Sequence, residues 1–317
     1  MSPPKLLITH TVDPGSASSI VPCLESALPT GALERARTPA ESRTLLSDAD
    51  AIVTLSLSDN LLAATESVGW VQALSAGVDH YDLDALRERD IAFTNVSGVH
   101  AEQIAEQVLG YILMFERRIH ESIQQQQHSV WKRVEGGEVR GKTLGIIGVG
   151  SIGTRVAELG SALGMQVIGT KRDPKTAPEA LETCYSPDDF HEVVCQSSYL
   201  VLACPLTETT NGMIGIDEIR MMPTDAILVN IARGEIVDQD ALIRGLHNGW
   251  IRGAGLDVFE TEPLPQTSSL WDLPNVVVTP HMAGSSPRKA ERWCSVIAEN
   301  YRKFANNNRN ELVNRVV

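Results

Sequence analysis

The hydrophobic positions fall into short runs, separated by segments in which apolar residues recur every three or four places. Lys5–Thr9, Ala51–Leu55, Val71–Leu74 and Ile91–Thr94 are strand-sized runs, while Ser18–Leu28 and Asp82–Glu88 carry helical spacing. A longer periodic segment, Ala101 to about His120, predicts a helix that could run between two domains. The polar run Gln124–Gln127 behind it predicts a solvated helix end. From Gly141 the alternation resumes. Strands are predicted at Thr143–Ile147, Gln166–Gly169, Tyr199–Ala203, Ala226–Asn230, Gly253–Leu256 and Val276–Thr279. Helices are predicted near Ile152–Leu163, Pro187–Cys195, Gly215–Met221 and Gln239–Asn248, and a last one from Arg288 to about Ala305, ahead of the polar Asn306-Asn307-Asn308. Alternating strand and helix makes a parallel sheet covered by helices. No repeat of fixed period interrupts the pattern. The expectation is an α/β chain of two units, the second inserted before a short C-terminal return.

A length of 317 residues suits two domains, and 43% hydrophobic with 21% charged residues can bury a substantial core. That balance excludes a disordered or low-complexity chain. With 27 basic against 40 acidic residues the formal charge is −13, the wrong sign for coating nucleic acid or an anionic membrane. The expected partner is a small molecule or another copy of the chain. Met1-Ser2-Pro3-Pro4 leads into an apolar run too short for a signal peptide, and the longest apolar stretches, such as Ala226–Ala232, are strand-sized. The five cysteines are scattered without a CxxC pair, so no disulfide framework or zinc site is expected, and a reduced, cytoplasmic protein is. His191-Glu192-Val193-Val194-Cys195 lacks the second histidine of a metalloprotease helix, and no metal is expected.

The chemistry begins at Gly148-Val149-Gly150-Ser151-Ile152-Gly153, directly after a strand run and directly before a helical pattern. GxGxxG is a weak signal alone; this flanking context makes it a dinucleotide loop. Gly148 permits the tight turn, Gly150 lets backbone approach a pyrophosphate, and Gly153 lets helix pack on strand. The amides of Ser151 and Ile152 would then face the phosphates from a positive helix end. About 20 residues on, an NAD site usually presents an acid to the ribose. Here the strand end reads Gly169-Thr170-Lys171-Arg172-Asp173. Two cations and no acid at the tip favour the 2′-phosphate of NADP, held by Lys171 and Arg172. Asp173, one residue further, keeps NAD as the alternative.

Three further segments follow predicted strands with polar residues that a plain core would not want: Asn230-Ile231-Ala232-Arg233-Gly234, Asp257 through Pro263, and Pro280-His281-Met282-Ala283-Gly284. Ligands of open α/β sheets bind at the C-terminal ends of strands, so Arg233, Glu262 and His281 could converge beside a dinucleotide.

With these stand Ser75-Ala76-Gly77-Val78-Asp79, Pro205-Leu206-Thr207-Glu208-Thr209-Thr210, Gly253-Ala254-Gly255-Leu256-Asp257-Val258-Phe259, Glu262-Pro263-Leu264-Pro265 and Thr279-Pro280-His281. In that set and order the chain resembles the D-isomer-specific 2-hydroxyacid dehydrogenases over nearly its whole length. The resemblance implies two doubly wound parallel-sheet domains. A Rossmann cofactor domain (101–286) would be inserted in a flavodoxin-like substrate domain (1–100 and 287–317). It implies an NAD(P)-dependent enzyme that interconverts a 2-oxo acid and a D-2-hydroxy acid, usually as a homodimer. By the same resemblance Arg233, Glu262 and His281 are catalytic. The guanidinium would orient the substrate, and Glu262 would fix the histidine tautomer and favour the imidazolium that protonates the carbonyl oxygen. Ala76 and Gly77 N–H groups would grip the substrate carboxylate. Asp257 would bind the nicotinamide carboxamide, and Cys204, Pro205, Thr209, Ile231 and Ala232 would line the cofactor with Arg233 and His281.

Phosphoglycerate dehydrogenases of the family often carry a further regulatory domain and are the less expected subgroup, and Glu262 differs from the glutamine of formate dehydrogenases. The rival expectation is a nucleotide-sensing binding protein of the C-terminal-binding-protein type, which shares the fold and the triad but carries long partner-binding tails.

Overall fold

The structure, a computed structural model, describes residues 3–78 and 80–317. It divides into two compact units, one made of residues up to Val99 and from Ser286 to Val317, the other of His100–Ser285. The first unit alternates β1 (Leu6–Ile8), α1 (Pro14–Ala27), β2 (Leu33–Arg35), α2 (Pro39–Leu46), β3 (Ala51–Thr54), α3 (Asp59–Ala63), β4 (Trp70–Ala73), α4 (Leu83–Glu88) and β5 (Ala92–Thr94). Its strands lie in the order β2-β1-β3-β4-β5, all parallel. Every residue of β1, β3, β4 and β5 is buried, as a parallel sheet covered on both faces requires. Helix α1 starts four residues before the predicted Ser18, because Asp13 caps it by accepting from Ser16 N at 2.9 Å and Pro14 suits the first turn.

The second unit continues with α5 (Ala101–Glu116), α6 (Ile119–Gln127), β6 (Thr143–Ile147), α7 (Ser151–Ala162), β7 (Gln166–Thr170), β8 (Thr183–Tyr185), α8 (Phe190–Val194), β9 (Tyr199–Leu202), α9 (Ile216–Met221), β10 (Ile227–Asn230), α10 (Gln239–His247), β11 (Gly253–Leu256) and β12 (Val276–Val278). The order is β12-β11-β10-β9-β6-β7-β8, again parallel throughout. The chain winds outward from β6 through β7 to β8, then returns to β9 and winds the other way. The reversal falls between β6 and β9, the doubly wound arrangement in which ligands sit beyond the strand ends at the switch. The helix predicted to reach His120 ends at Glu116, because Arg118 takes a left-handed backbone (φ 53°) and restarts the chain as α6. On α5, Tyr111 and Phe115 are one turn apart and lie against Gly255 and Gly253 of β11. A Cβ at Gly255 would come within 2.7 Å of the tyrosine ring, and one at Gly253 within 2.9 Å of the phenylalanine.

Helix α11 (Lys289–Ala305) returns to the first unit. It buries Trp293, Ile297, Tyr301 and Phe304, spaced three or four apart, in a cluster with Ile20 and Leu24 of α1 and Trp70 of β4. At roughly 1.5–3 kcal/mol for each large apolar side chain, these four contribute on the order of 6–12 kcal/mol, so the return helix is integral to that core. The same packing corrects the expectation of five free thiols. Cys23 of α1 and Cys294 of α11 form a disulfide with Cα atoms 6.3 Å apart, while Cys184, Cys195 and Cys204 are free. Partners separated by 271 positions are brought together by helix packing, which no cysteine spacing reveals. Among the described residues, no helix is long and apolar enough to cross a membrane, and no cluster of three His, Cys, Asp or Glu side chains could hold a metal ion.

At the opposite edge of the larger sheet from its strand C-termini, a cavity of about 920 Å³ is lined by Glu116, His120, Lys142 and Arg252 among others. Glu116 is buried there and accepts from the Tyr199 hydroxyl, from Lys142 Nζ at 2.9 Å and from Arg252 Nη2 at 3.2 Å. Burial alone would raise its pKa, but the Tyr199, Lys142 and Arg252 hydrogen bonds outweigh that and hold it below the ordinary glutamate value. A depressed carboxylate stabilises the fold above its unfolded pKa and ceases to do so as pH falls through the folded one. Glu116→Gln is therefore expected to cost about 1–3 kcal/mol at pH 7. Melting temperatures of parent and variant should converge as pH falls below the ordinary glutamate range and through the lowered folded-state value. A gap that does not narrow at all on acidification would show that the charge contributes nothing.

Candidate active site

The glycine loop leaves β6 and enters α7. Gly148 has φ +96°, and a Cβ there would stand 2.7 Å from the backbone of Cys204. A Cβ on Gly153 would stand 2.4 Å from the Gly148 carbonyl oxygen. Packing of the protein on itself therefore demands both glycines. Gly150 differs: a Cβ there would meet nothing within 4 Å, so the space over it is open to a ligand. It also caps α7 without a side-chain acceptor, which leaves the first-turn amides directed at that space. A pyrophosphate fits such a cradle, with Ser151, Ile152 and Gly153 N–H as donors. Thr170, at the end of β7, holds the loop in place: its Oγ1 accepts from Gly148 N at 3.1 Å and its carbonyl from Val149 N at 2.8 Å.

Strand β7 extends one residue beyond the predicted end, to Thr170, which is buried and committed to the loop. Lys171 then turns back, its Nζ donating to the Val149 carbonyl at 2.8 Å, and Arg172 is exposed. The Asp173 carboxylate is occupied in its own turn, accepting from Lys175 N at 3.1 Å to cap residues 174–176. Next along the edge, Cys204 follows β9, buried, with its thiol pushed up to about 11 by burial. Pro205 accepts from Thr210 Oγ1 at 2.7 Å, and the Thr209 hydroxyl meets Thr207 Oγ1 at 3.0 Å.

Beyond β10, Asn230 shapes the turn, taking Ala232 N at 3.1 Å and donating to Arg233 O at 2.9 Å. Ile231 and Ala232 are buried, and Arg233 Nη1 donates to Ala232 O at 2.8 Å. Gly234 must lack a side chain, because a Cβ would fall 1.9 Å from the Phe259 carbonyl carbon in the segment after β11. In that segment Glu262 accepts from Phe259 N at 3.1 Å through Oε1 and faces His281 Nδ1 at 2.7 Å through Oε2. A carboxylate only accepts, so Nδ1 carries hydrogen and Nε2 is the nitrogen left for other chemistry. His281 is half exposed and has a left-handed backbone, φ 48°, with its N–H on Asp257 O at 2.8 Å.

Asp257 proves to be the anchor of the histidine turn, which the sequence did not suggest. Its buried carboxylate takes the Thr279 hydroxyl and Met282 N (2.9 Å) on Oδ1, and Ala283 N (2.9 Å) on Oδ2. Of about four lone-pair positions, one remains for a further donor such as a carboxamide. Gly148, Lys171, Cys204, Arg233, Asp257 and His281 thus each follow a strand of the same parallel sheet at its C-terminal edge.

Ala76 and Gly77 lie in the first unit, in the loop after β4. That loop is anchored by its carbonyls: Ser75 O takes Val96 N at 3.3 Å, Ala76 O takes Asn95 Nδ2 at 2.8 Å, and Gly77 O takes Ser75 Oγ at 2.8 Å. Asp79, the last residue of that motif, lies outside the described residues.

Comparison with known proteins agrees on one relationship. Residues 109–283 match the family described as "D-isomer specific 2-hydroxyacid dehydrogenase, NAD binding domain". A glyoxylate reductase of Aeropyrum pernix is 38% identical over 283 residues, 84% of this chain and 84% of that protein. The NADPH-dependent glyoxylate/hydroxypyruvate reductase of Sinorhizobium meliloti, solved with NADP and sulfate, superimposes with a TM-score of 0.86 at 26% identity, covering 99% of this chain and 98% of its own. A D-isomer specific 2-hydroxyacid dehydrogenase from Xanthobacter autotrophicus, solved with NADPH and MES, gives 0.85 at 28% identity, covering 100% and 98%.

Proposed function

Because the chain belongs to the D-isomer specific 2-hydroxyacid dehydrogenase family, we propose that it reduces a small 2-oxo acid to the D-2-hydroxy acid with a nicotinamide dinucleotide, and catalyses the reverse. The observation that carries this reading is the Glu262–His281 pair at 2.7 Å, on the same sheet edge as an open glycine loop. When bound, the cofactor supplies or accepts hydride at the substrate's second carbon. Arg233 holds the carboxylate and the neighbouring carbonyl through a planar fork of donors, and the amides of Ala76 and Gly77 are further carboxylate donors. As charge builds on the carbonyl oxygen, His281 gives it the proton from Nε2, while Glu262 keeps the Nδ1–H oriented and stabilises the cationic ring. The open side of Gly150 and the first turn of α7 hold the pyrophosphate. Asp257 takes the carboxamide, and Cys204, Pro205, Thr209, Ile231 and Ala232 flank the dinucleotide.

The first substrates to test are glyoxylate and hydroxypyruvate, which name the activity of the Sinorhizobium meliloti relative, with pyruvate and phenylpyruvate as larger members of the class. Steady turnover of NAD(P)H on none of the four would overturn the reading. A nucleotide-sensing binding protein is not favoured, since the relatives quoted above carry the names of reductases or dehydrogenases. We also read the protein as a homodimer. What supports the dimer is the fully exposed Trp131 (99%) close in sequence to the exposed Ile119 and Ile123 of α6. Light scattering at twice the 34.4 kDa chain mass would bear it out, and a monomer would refute it.

Within this activity the cofactor is NADPH. A 2′-phosphate carries close to two negative charges and needs cations where an NAD site offers an acid. Lys171 and Arg172 supply them, and Asp173, the one carboxylate nearby in sequence, is turned to its own cap. The parent is expected to have the higher kcat/KM with NADPH. Lys171→Ala and Arg172→Ala should each erode that preference by about tenfold, the worth of one charge-assisted contact. An NADH preference in the parent, or unmoved discrimination in the double variant, would return the ribose to Asp173.

A further inference from the structure

The buried face of α5 carries a polar group, the Tyr111 hydroxyl, that neither the fold nor the reaction has yet used. The Tyr111 hydroxyl meets Thr279 Oγ1, which in turn meets Asp257 Oδ1. The direction of this chain follows from valence. A carboxylate can only accept, so Thr279 spends its single hydroxyl proton on Asp257, and the contact with Tyr111 requires the phenol to donate. The carboxylate then receives Met282 N–H and Ala283 N–H, the two amides that follow His281. The His281 turn holds a left-handed backbone that a non-glycine residue keeps only when its surroundings over-determine it. Thr279 O and Asp257 O both accept the His281 N–H. The turn is therefore fastened at both ends to residues of one polar chain, whose far end is the Tyr111 hydroxyl on α5.

We propose that Tyr111 and Thr279 are positioning residues for His281, acting through Asp257. This rests on the reading of His281 as the proton donor. Asp257 must accept from backbone amides, not swing toward another partner, for the imidazole to keep its place against Glu262. The phenol–hydroxyl pair polarises that carboxylate from behind and fixes its plane. The ring of Tyr111 cannot drift, because it lies on the bare Cα of Gly255, the residue two before Asp257 on β11. Helix and catalytic turn are thus registered by one ring and one hydrogen-bond chain.

Tyr111→Phe keeps the ring and removes only the donor; Thr279→Val keeps shape and removes both hydroxyl functions; Thr279→Ser restores the hydroxyl. Loss of one neutral hydrogen bond corresponds to about fivefold, and of one to a carboxylate to about 10–100-fold. Tyr111→Phe should lower kcat about fivefold and Thr279→Val by at least tenfold. Substrate KM should hold within about twofold, and Thr279→Ser should recover most of the rate. The deciding measurement is a double-mutant cycle against His281→Ala. If the relay acts through the histidine, Tyr111→Phe has no further effect on the residual rate of His281→Ala. An equal effect in both backgrounds, or unchanged kcat in Tyr111→Phe and Thr279→Val, would overturn the proposal. Normal turnover in His281→Ala alone would instead overturn the assignment of the proton donor. Should Thr279→Val not fold, the Tyr111→Phe arm of the cycle still decides.

Discussion

His281→Ala is expected to lose turnover by about 10²–10⁴-fold while binding its nicotinamide cofactor as the parent does, because positioned proton transfer carries that share of the rate. The ring is held by Glu262 through Nδ1 at 2.7 Å, leaving Nε2 as the nitrogen that can meet a substrate oxygen. Nothing in the glycine loop depends on it: Gly148 and Thr170 hold each other, and α7 starts from its own cap. The loss should therefore lie in kcat, with the dissociation constant for the cofactor, read from nucleotide fluorescence, within about twofold. Near-normal kcat would remove His281 from the mechanism. A collapse of cofactor binding would mean that the residue serves the fold of the edge and not the chemistry.

Arg233→Lys is expected to be nearly as damaging although it conserves charge. A guanidinium presents donors in a fixed plane that matches a carboxylate and an adjacent carbonyl, whereas an ammonium is a point charge on a flexible stem. Charge-assisted bonds contribute about 1.5–3 kcal/mol each, so losing one or two lowers kcat/KM by about 10²-fold or more. The contact to the carbonyl oxygen strengthens as charge develops there, so kcat should fall along with the rise in KM. The backbone around the residue should survive the change, since Asn230 and Gly234 shape that turn without the side chain. Intact kinetics on every 2-oxo acid tested would sink the role.

How much of this was legible depends on how local each determinant is. The strand–glycine–helix passage at 143–163 is local, so its strand and helix fell within a residue of prediction. The short edge strands β2 (Leu33–Arg35) and β8 (Thr183–Tyr185) were missed: three residues with no fully buried position leave too little hydrophobic pattern. The break at Arg118 was invisible because apolar spacing continues through Ile119 and only the backbone reverses. The triad was suggested by three separate strand ends, and its Glu262–His281 contact needed the β11–β12 neighbourhood that only the sheet order provides. Tyr111 read as one more member of an apolar helix stripe. Its hydroxyl acquires meaning through Thr279, 168 positions away. The Cys23–Cys294 bond is the same kind of omission.

The interrupted first unit has a consequence for the order in which the protein can become itself on the ribosome. Residues 100–285 carry every strand of the seven-stranded sheet, so that body can close while the chain is still growing. The unit whose strands were made first cannot. Ile20, Leu24 and Trp70 wait for Trp293, Ile297 and Tyr301, which emerge only with residues 286–317. Domains fold as units at synthesis rates of roughly 5–20 residues per second, so that last stretch adds about 2–6 s during which an apolar face stays uncovered. A nascent chain stalled at Ser285 should accordingly resist protease over 100–285 and be cut within 1–99. Protection of both segments would mean that the early strands need no late helix.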